Sequence, residues 1–229
     1  MTQLRTADGH ETAGLGAYLT RLVALDDRAA VRLQGTGTVV GVWGGPPLDV
    51  LTLRPVALGA ELPDALDVTV SVRRLLDRVD PAAGTAVEVE LPPAVTGPAW
   101  AGLLPPRSGW RELATVPAGA IDDAVRVAVE GFRRRVDELS DDERHSQPAL
   151  EAIARQLWGQ PVLAGVPLRA AHAADLVGLL SRDGEVRAMQ SGPWQRLACP
   201  GGSVALRQDG GGTGLGLDLG VWSLLGTGS

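Results

Sequence analysis

Three histidines and one cysteine carry most of the chemistry open to this 229-residue chain, and none of them stands in a catalytic pattern. His10 lies in a polar N-terminal run and His145 in the polar stretch SDDERHSQ. His172 falls on the apolar stripe of a helix expected after Pro167, in line with Leu168, Leu176 and Leu179. No His-x-x-x-His or Cys-x-x-Cys pair occurs, so the usual zinc spacings are missing and neither a metal nor a cofactor is expected. Cys199 precedes Pro200-Gly201-Gly202, and strand alternation turns it to the same side as Leu197. It reads as a structural thiol rather than as a nucleophile with an activating base. The one alternative enzyme site that the sequence offers is Arg169, His172 and Asp175, which share a single helix.

Two glycine-rich stretches look like phosphate loops, but a loop that cradles phosphate must open a helix whose N-terminal amides hold the anion. GTGTVVG at 35–41 runs instead into the strand-like Thr38 to Trp43, and GGGTGLGLDLG at 210–220 runs into alternating Leu215, Leu217, Leu219 and Val221. Both read as turns before strands.

A different constellation comes from the C-terminal meander. With Pro200 and Gly201 as a tight turn, Cys199 faces Gly202, Leu197 faces Val204, Arg196 faces Ala205 and Trp194 faces Arg207. With residues 190–193 as the preceding turn, Met189 faces Trp194 and Arg187 faces Arg196. Side chains alternate across a sheet. One side therefore gathers Val186, Ala188, Leu197, Cys199, Val204 and Leu206, and the other gathers Arg187, Met189, Trp194, Arg196 and Arg207. Opposed arginines repel, and an acid between them, such as Asp218 or an anionic partner, relieves the repulsion. Guanidinium forks suit carboxylate and phosphate, and tryptophan suits interface anchors.

The elements that position these residues are legible from periodicity. Leu15, Tyr18, Leu19, Leu22 and Val23 mark a first helix. Val-rich runs at 29–34, 38–43 and 48–56 mark strands separated by turns. Ser71 caps a short helix through Val79, and 85–92 alternates as a strand. Residues 92–109 hold Pro92, Pro93, Pro98, Pro105 and Pro106 and form a connector, because proline lacks the backbone donor. A strand at 110–116 leads into the longest helix, from Ala118 to Leu139. Helices after Ser146 and Pro167 follow, then extended runs at 185–190, 194–199, 203–208 and 215–223. The fold class is α+β, antiparallel meanders with packed helices, and the two halves resemble one another as helix-plus-meander units. The expected organisation is a disordered tail at 1–12, an N-terminal half at 13–91, the connector at 92–109 and a C-terminal half at 110–229.

All twenty-one basic residues are arginine, and lysine and asparagine do not occur, as a GC-rich coding sequence would give. The net charge of −6 argues against nucleic-acid binding by the whole protein. Residues 144–207 nevertheless hold seven arginines against four acids. The stretches GWRELATVPAGAIDDAVRVAVEGFRRRV, PLRAAHAADLVGLL and GPWQRLACPGGSVALR resemble conserved hypothetical proteins of high-GC actinobacteria. That resemblance covers roughly the C-terminal half, implies a GC-rich bacterial origin and transfers no catalytic residue.

The expected function is a non-enzymatic binding or accessory protein that shows the Arg/Trp sheet face to an acidic protein partner or an anionic ligand. The alternatives are an enzyme with a site near His172, or a nucleic-acid accessory factor using region 144–207. The N-terminus lacks an apolar leader and no apolar run reaches the ~20 residues of a membrane span, so a cytoplasmic protein with no membrane partner is expected.

Overall fold

The computed structural model describes residues 2–79, 82 and 84–208. The extended run expected at 215–223, the glycine-rich stretch at 210–220 and Asp218 lie outside the described residues.

The N-terminal half runs β1 (Gln3–Arg5), α1 (Gly9–Leu25), β2 (Ala30–Thr36), β3 (Val39–Gly44), β4 (Leu51–Ala57), β5 (Leu66–Ser71), α2 (Val72–Leu76) and β6 (Glu88–Glu90). The C-terminal half runs β7 (Arg111–Pro117), α3 (Ala118–Asp137), α4 (Asp141–Arg144), α5 (Gln147–Trp158), β8 (Pro161–Leu163), β9 (Val166–Pro167), α6 (Leu168–Leu176), β10 (Glu185–Ser191), β11 (Trp194–Cys199) and β12 (Gly202–Arg207). A short 3₁₀ turn, Ala99–Gly102, interrupts the connector between the halves.

Eight strands form one antiparallel sheet in the order β5-β2-β3-β4-β12-β11-β10-β7. Each half supplies four adjacent strands, and the last strands of the two meanders, β4 and β12, meet at the centre. There Leu53 faces Ser203, Thr52 faces Val204 and Leu51 faces Ala205. Reading outward from this junction, both halves present their meander in reverse chain order, with the helix that precedes it (α1 or α6) packed on the sheet. The mixed α+β fold and its two-half arrangement follow from the hydrophobic pattern. Val31, Leu33, Val40, Val42, Val186, Leu197 and Val204 alternate onto one side of the sheet, where they join Leu15, Leu19, Leu22, Ile121 and Val125 in the main core. Each such aliphatic side chain contributes about 1.5–3 kcal/mol when fully buried.

Local signals set the helix ends. Asp8 caps α1 by accepting the Glu11 amide at 2.9 Å. Ser71 caps α2, accepting from the Arg74 amide. Ser140 and Glu143 form a reciprocal capping box that makes α4 out of the stretch read as a polar loop.

Residues 2–12, expected to belong to a disordered tail, are built into the fold. β1 pairs with β6 over Gln3↔Glu90, Leu4↔Val89 and Arg5↔Glu88, and Thr6 Oγ1 lies 2.7 Å from Thr12 Oγ1 inside the core. A three-residue strand is too short to show a period, so only its partner reveals it. β5 was not among the expected strands, although Leu66, Val68 and Val70 alternate with Asp67, Thr69 and Ser71 in the pattern of a half-buried strand.

Candidate binding face

The second side of the central sheet is neither packed by helices nor open. β3 and β4 turn Trp43, Leu51 and Leu53 onto it, and β11 and β12 turn Trp194 and Ala205 onto it. The connector lies across it and adds Trp100, Leu104 and Trp110, which completes a second apolar cluster separate from the main core. Four of the chain's six tryptophans converge here.

The connector is fixed along its path. The Val95 amide donates to Thr69 O in edge strand β5 at 2.9 Å. Arg32 on β2 grips Asp67 with two 2.7 Å bonds and donates to the Ala101 carbonyl. These charge-assisted bonds hold the Asp67 carboxyl below its ordinary range and raise the Arg32 pKa. Trp100 lies flat against Gly45, where a Cβ would sit 2.6 Å from Trp100 Nε1. Trp110 Nε1 donates to Pro106 O at 2.8 Å just before the chain enters β7. The proline-rich segment is therefore a strap that crosses from one sheet edge to the other.

Between the strap and the central strands lies a pocket of about 410 Å³. Leu51, Trp194 and Ala205 contribute to its sheet side, Trp100 and Leu103 to its strap side, and Asp49 and Arg207 bring charge to its lining. Leu103 is 52% exposed in this lining. Asp49 holds a left-handed backbone (φ 52°) in the turn before β4, and its carboxylate lies 3.9 Å from Arg169 Nη2. Apolar walls with a few charges suit an extended peptide side-chain pair or a small amphipathic ligand.

Arg187, Met189, Trp194, Arg196 and Arg207 stand on this one side of the sheet, but they are not equally presented. Trp194↔Arg207, Arg196↔Ala205, Leu197↔Val204 and Cys199↔Gly202 are the pairs expected from the Pro200-Gly201 turn. The other hairpin differs. Its turn is two residues, Gly192-Pro193, so Met189 faces Arg196 and Arg187 faces Ala198. Gly192 at φ 54° supplies the positive φ that a tight hairpin turn needs at its first central position. The expected Arg187–Arg196 opposition is absent, and the need for an acid to relieve it goes with it. A two-residue shift keeps every side chain on its own face, which is why the face survives the error in register.

Arg196 is covered. Its Cζ lies 3.9 Å from the centre of the Trp110 ring. Burial draws its pKa below the ordinary arginine value, and its Nε is buried without a hydrogen-bond partner. Arg187 is half exposed, 4.0 Å from Glu112. Arg207 is exposed at the pocket lining. Met189 is half-buried and Trp194 buried. Trp43, Trp100, Leu51, Leu103 and Asp49 complete the site without having been singled out by the sequence. Alternation of Trp43 against Val42 was the signal available for the strand residues.

The alternative enzyme triad does not assemble. His172 is 2% exposed and stacked on Trp158 at 4.2 Å and 3°, with neither ring nitrogen hydrogen-bonded. Arg169 points toward Asp49, while Asp175 is influenced by Asp122 and Arg21. Burial is the main cause of the raised Asp175 pKa. Among the described residues no group of three His, Cys, Asp or Glu is placed to hold a metal ion, and no helix is long and apolar enough to cross a membrane.

Two family models match the chain, each a domain of unknown function: DUF8010 over residues 1–102 and DUF8185 over residues 105–211. No curated protein sequence matches it. Among solved structures, the chain is similar to the DNA polymerase III subunit beta of Pseudomonas aeruginosa, with a TM-score of 0.54 and 13% identity over 93% of this chain and 66% of that one. It is also similar to the Helicobacter pylori beta clamp in complex with carprofen (TM-score 0.53, 9% identity, 93% and 65% covered). The same clamp bound to a DNA ligase peptide gives a TM-score of 0.50 at 11% identity, with 93% and 68% covered. At such identities the likeness is one of fold. The chain spans a little less than two thirds of the first two relatives' length.

Proposed function

We propose that this chain is an accessory protein-interaction module that receives an acidic and apolar segment of a protein partner on the strapped side of its sheet. The observation that carries this reading is the pocket itself, an apolar recess with Trp100, Leu103 and Trp194 in its lining and Arg207 beside them. An exposed leucine beside largely buried tryptophans in a recess is what an interface anchor needs. Arg207 and the half-exposed Arg187 supply the charge that would select an acidic segment. The similarity in fold to clamps supports the same reading, since one of them holds a DNA ligase peptide.

The test is a fluorescent array of short peptides, with acidic and apolar residues permuted, against the full chain. Peptides joining one or two acids to a leucine or aromatic pair are expected to bind in the micromolar range. Leu103→Asp should abolish that binding, and Arg207→Ser should erase the preference for acids while leaving the apolar preference. Equal binding of scrambled, basic and acidic peptides would defeat the reading, and strongly salt-dependent binding of an oligonucleotide alone would replace it.

A further inference from the structure

The helix side of the sheet, opposite the strap, carries a recess of its own. A groove of about 430 Å³ lies between α3 and the corner where α5 passes into β8. Ala124, Val127, Ala128, Gly131, Arg134 and Arg135 make its α3 wall, and Leu157, Val162 and Leu168 stand on the other. The α3 positions recur at steps of three and four, so they form one stripe on the helix. From Ala124 to Arg135 that stripe runs about 16 Å, or about three turns. The floor is firm, because Ala128, Leu157 and Leu168 also belong to the main core. Val127, in the same stripe, is nevertheless 63% exposed.

Two observations say what fits there. Gly131 sits inside α3, where glycine is a poor helix former, yet a Cβ at that position would meet only Arg134 Nη2, at 3.9 Å. Among the described residues no side chain claims the space that the glycine leaves, so the notch admits another backbone at close range. The second observation is charge. Toward the N-terminal end of α3, Asp123 pairs with Arg126 at 2.7 Å, and Arg182 pairs with both Asp122 and Asp123. Among the described residues, neither Arg134 nor Arg135 forms an ion pair, and Glu130 and Glu138, one turn to either side of Arg134, do not close on it. Arg135 donates to Gln156 Oε1 at 3.2 Å. The C-terminal end of the groove therefore holds two positive charges that no carboxylate contacts.

We propose that this groove takes an α-helix of a protein partner, antiparallel to α3, with apolar side chains over Val127 and Gly131 and carboxylates beside Arg134 and Arg135. An antiparallel helix brings its N-terminus to the C-terminal end of α3, and acids are favoured in a helix's first turn. Apolar residues three and four apart then enter the groove as its anchors. This site does not depend on the strapped pocket. The chain would hold two protein segments, one on each side of the sheet.

The experiment uses the full chain carrying Leu103→Asp, which disables the strapped pocket and keeps the two readings apart. The probe is a fluorescent alanine-based peptide of about 18 residues, long enough to be helical alone. It carries two glutamates in its first turn and leucines three and four apart, and its binding is read by anisotropy. Moving the glutamates to the last turn is expected to weaken binding about tenfold, because only an antiparallel helix brings them to the arginines. Replacing the leucines by serine should abolish it. Gly131→Leu fills the notch with a better helix former, so it should weaken binding about tenfold or more while the thermal midpoint holds or rises. Arg134→Glu should make a lysine version of the peptide bind better than the glutamate version. Binding that is indifferent to Gly131→Leu, or to where the glutamates stand, would overturn the proposal. So would the absence of peptide binding together with self-association lost in Gly131→Leu, which would put a second copy in the groove. Oligonucleotide binding lost in Arg134→Glu, again without peptide binding, would overturn it by assigning the arginines to phosphate.

Discussion

Arg196 lies face-on beneath Trp110, with its guanidinium carbon 3.9 Å from the ring centre, and this one contact ties the connector between the halves to the middle of the C-terminal meander. Cation–π pairs contribute about 0.5–1 kcal/mol when exposed and about 2 when desolvated. Arg196 is substantially buried, so the upper part of that range applies. A double-mutant cycle of Arg196→Met and Trp110→Leu, followed by urea unfolding, is expected to show a coupling of about 1–2 kcal/mol. Additive effects would mean that the stacked geometry contributes nothing beyond area.

Gly45 is the seat of the strap. A Cβ there would fall 2.6–2.8 Å from three atoms of the Trp100 indole, and a ring cannot yield as a flexible chain end can. Gly45→Val is therefore expected to lift Trp100 from the sheet and open the segment around Arg107 to protease. Loss of peptide binding with most of the global stability retained is the expected pattern, because the main core on the opposite side of the sheet is untouched. Unchanged cleavage and binding would show that Trp100 has another resting place.

The C-terminal face was readable in the sequence because its turns are. Pro200-Gly201 leaves a single compact hairpin, so the pairs from Trp194↔Arg207 to Cys199↔Gly202 follow from counting. The neighbouring hairpin departs from the expected register by two residues because Gln190 and Ser191 are polar and resemble turn, although in that hairpin Gly192 carries the positive φ. Helix spacing gave α1, α3, α5 and α6, since each repeats leucine, valine or alanine over several turns. What the sequence withheld is non-local. Nothing in residues 92–109 says which surface they cross, and neither Trp43 nor Trp100 declares its partner. The junction Thr52↔Val204 joins residues whose relation depends on both halves at once.

Cys199 follows from the same strand alternation. Burial pushes its thiol up to about 12, so very little thiolate exists near neutral pH, and the thiolate is the nucleophile. Alkylation of the native chain at pH 8 is expected to proceed at the rate of opening, far slower than for a free cysteine, and to become fast in denaturant. Rapid labelling under native conditions would place the thiol in an activating environment that its neighbours do not supply.

His172 should set the acid limit of stability. Burial against Trp158 lowers its pKa from 6.5 to about 4, so the folded protein holds the ring neutral where the unfolded chain would take up a proton. Stability from this group is fully present above pH 6.5 and is lost progressively as the pH falls toward 4, where the unfolded state gains the proton that the folded state refuses. The shift corresponds to about 3 kcal/mol at its fullest. His172→Phe keeps a ring against Trp158 and removes the titration. Its unfolding free energy is expected to fall less steeply between pH 6.5 and 4 than that of wild type. Equal slopes for the two proteins in urea titrations across that window would mean that the imidazole reaches a proton acceptor or solvent before the fold opens.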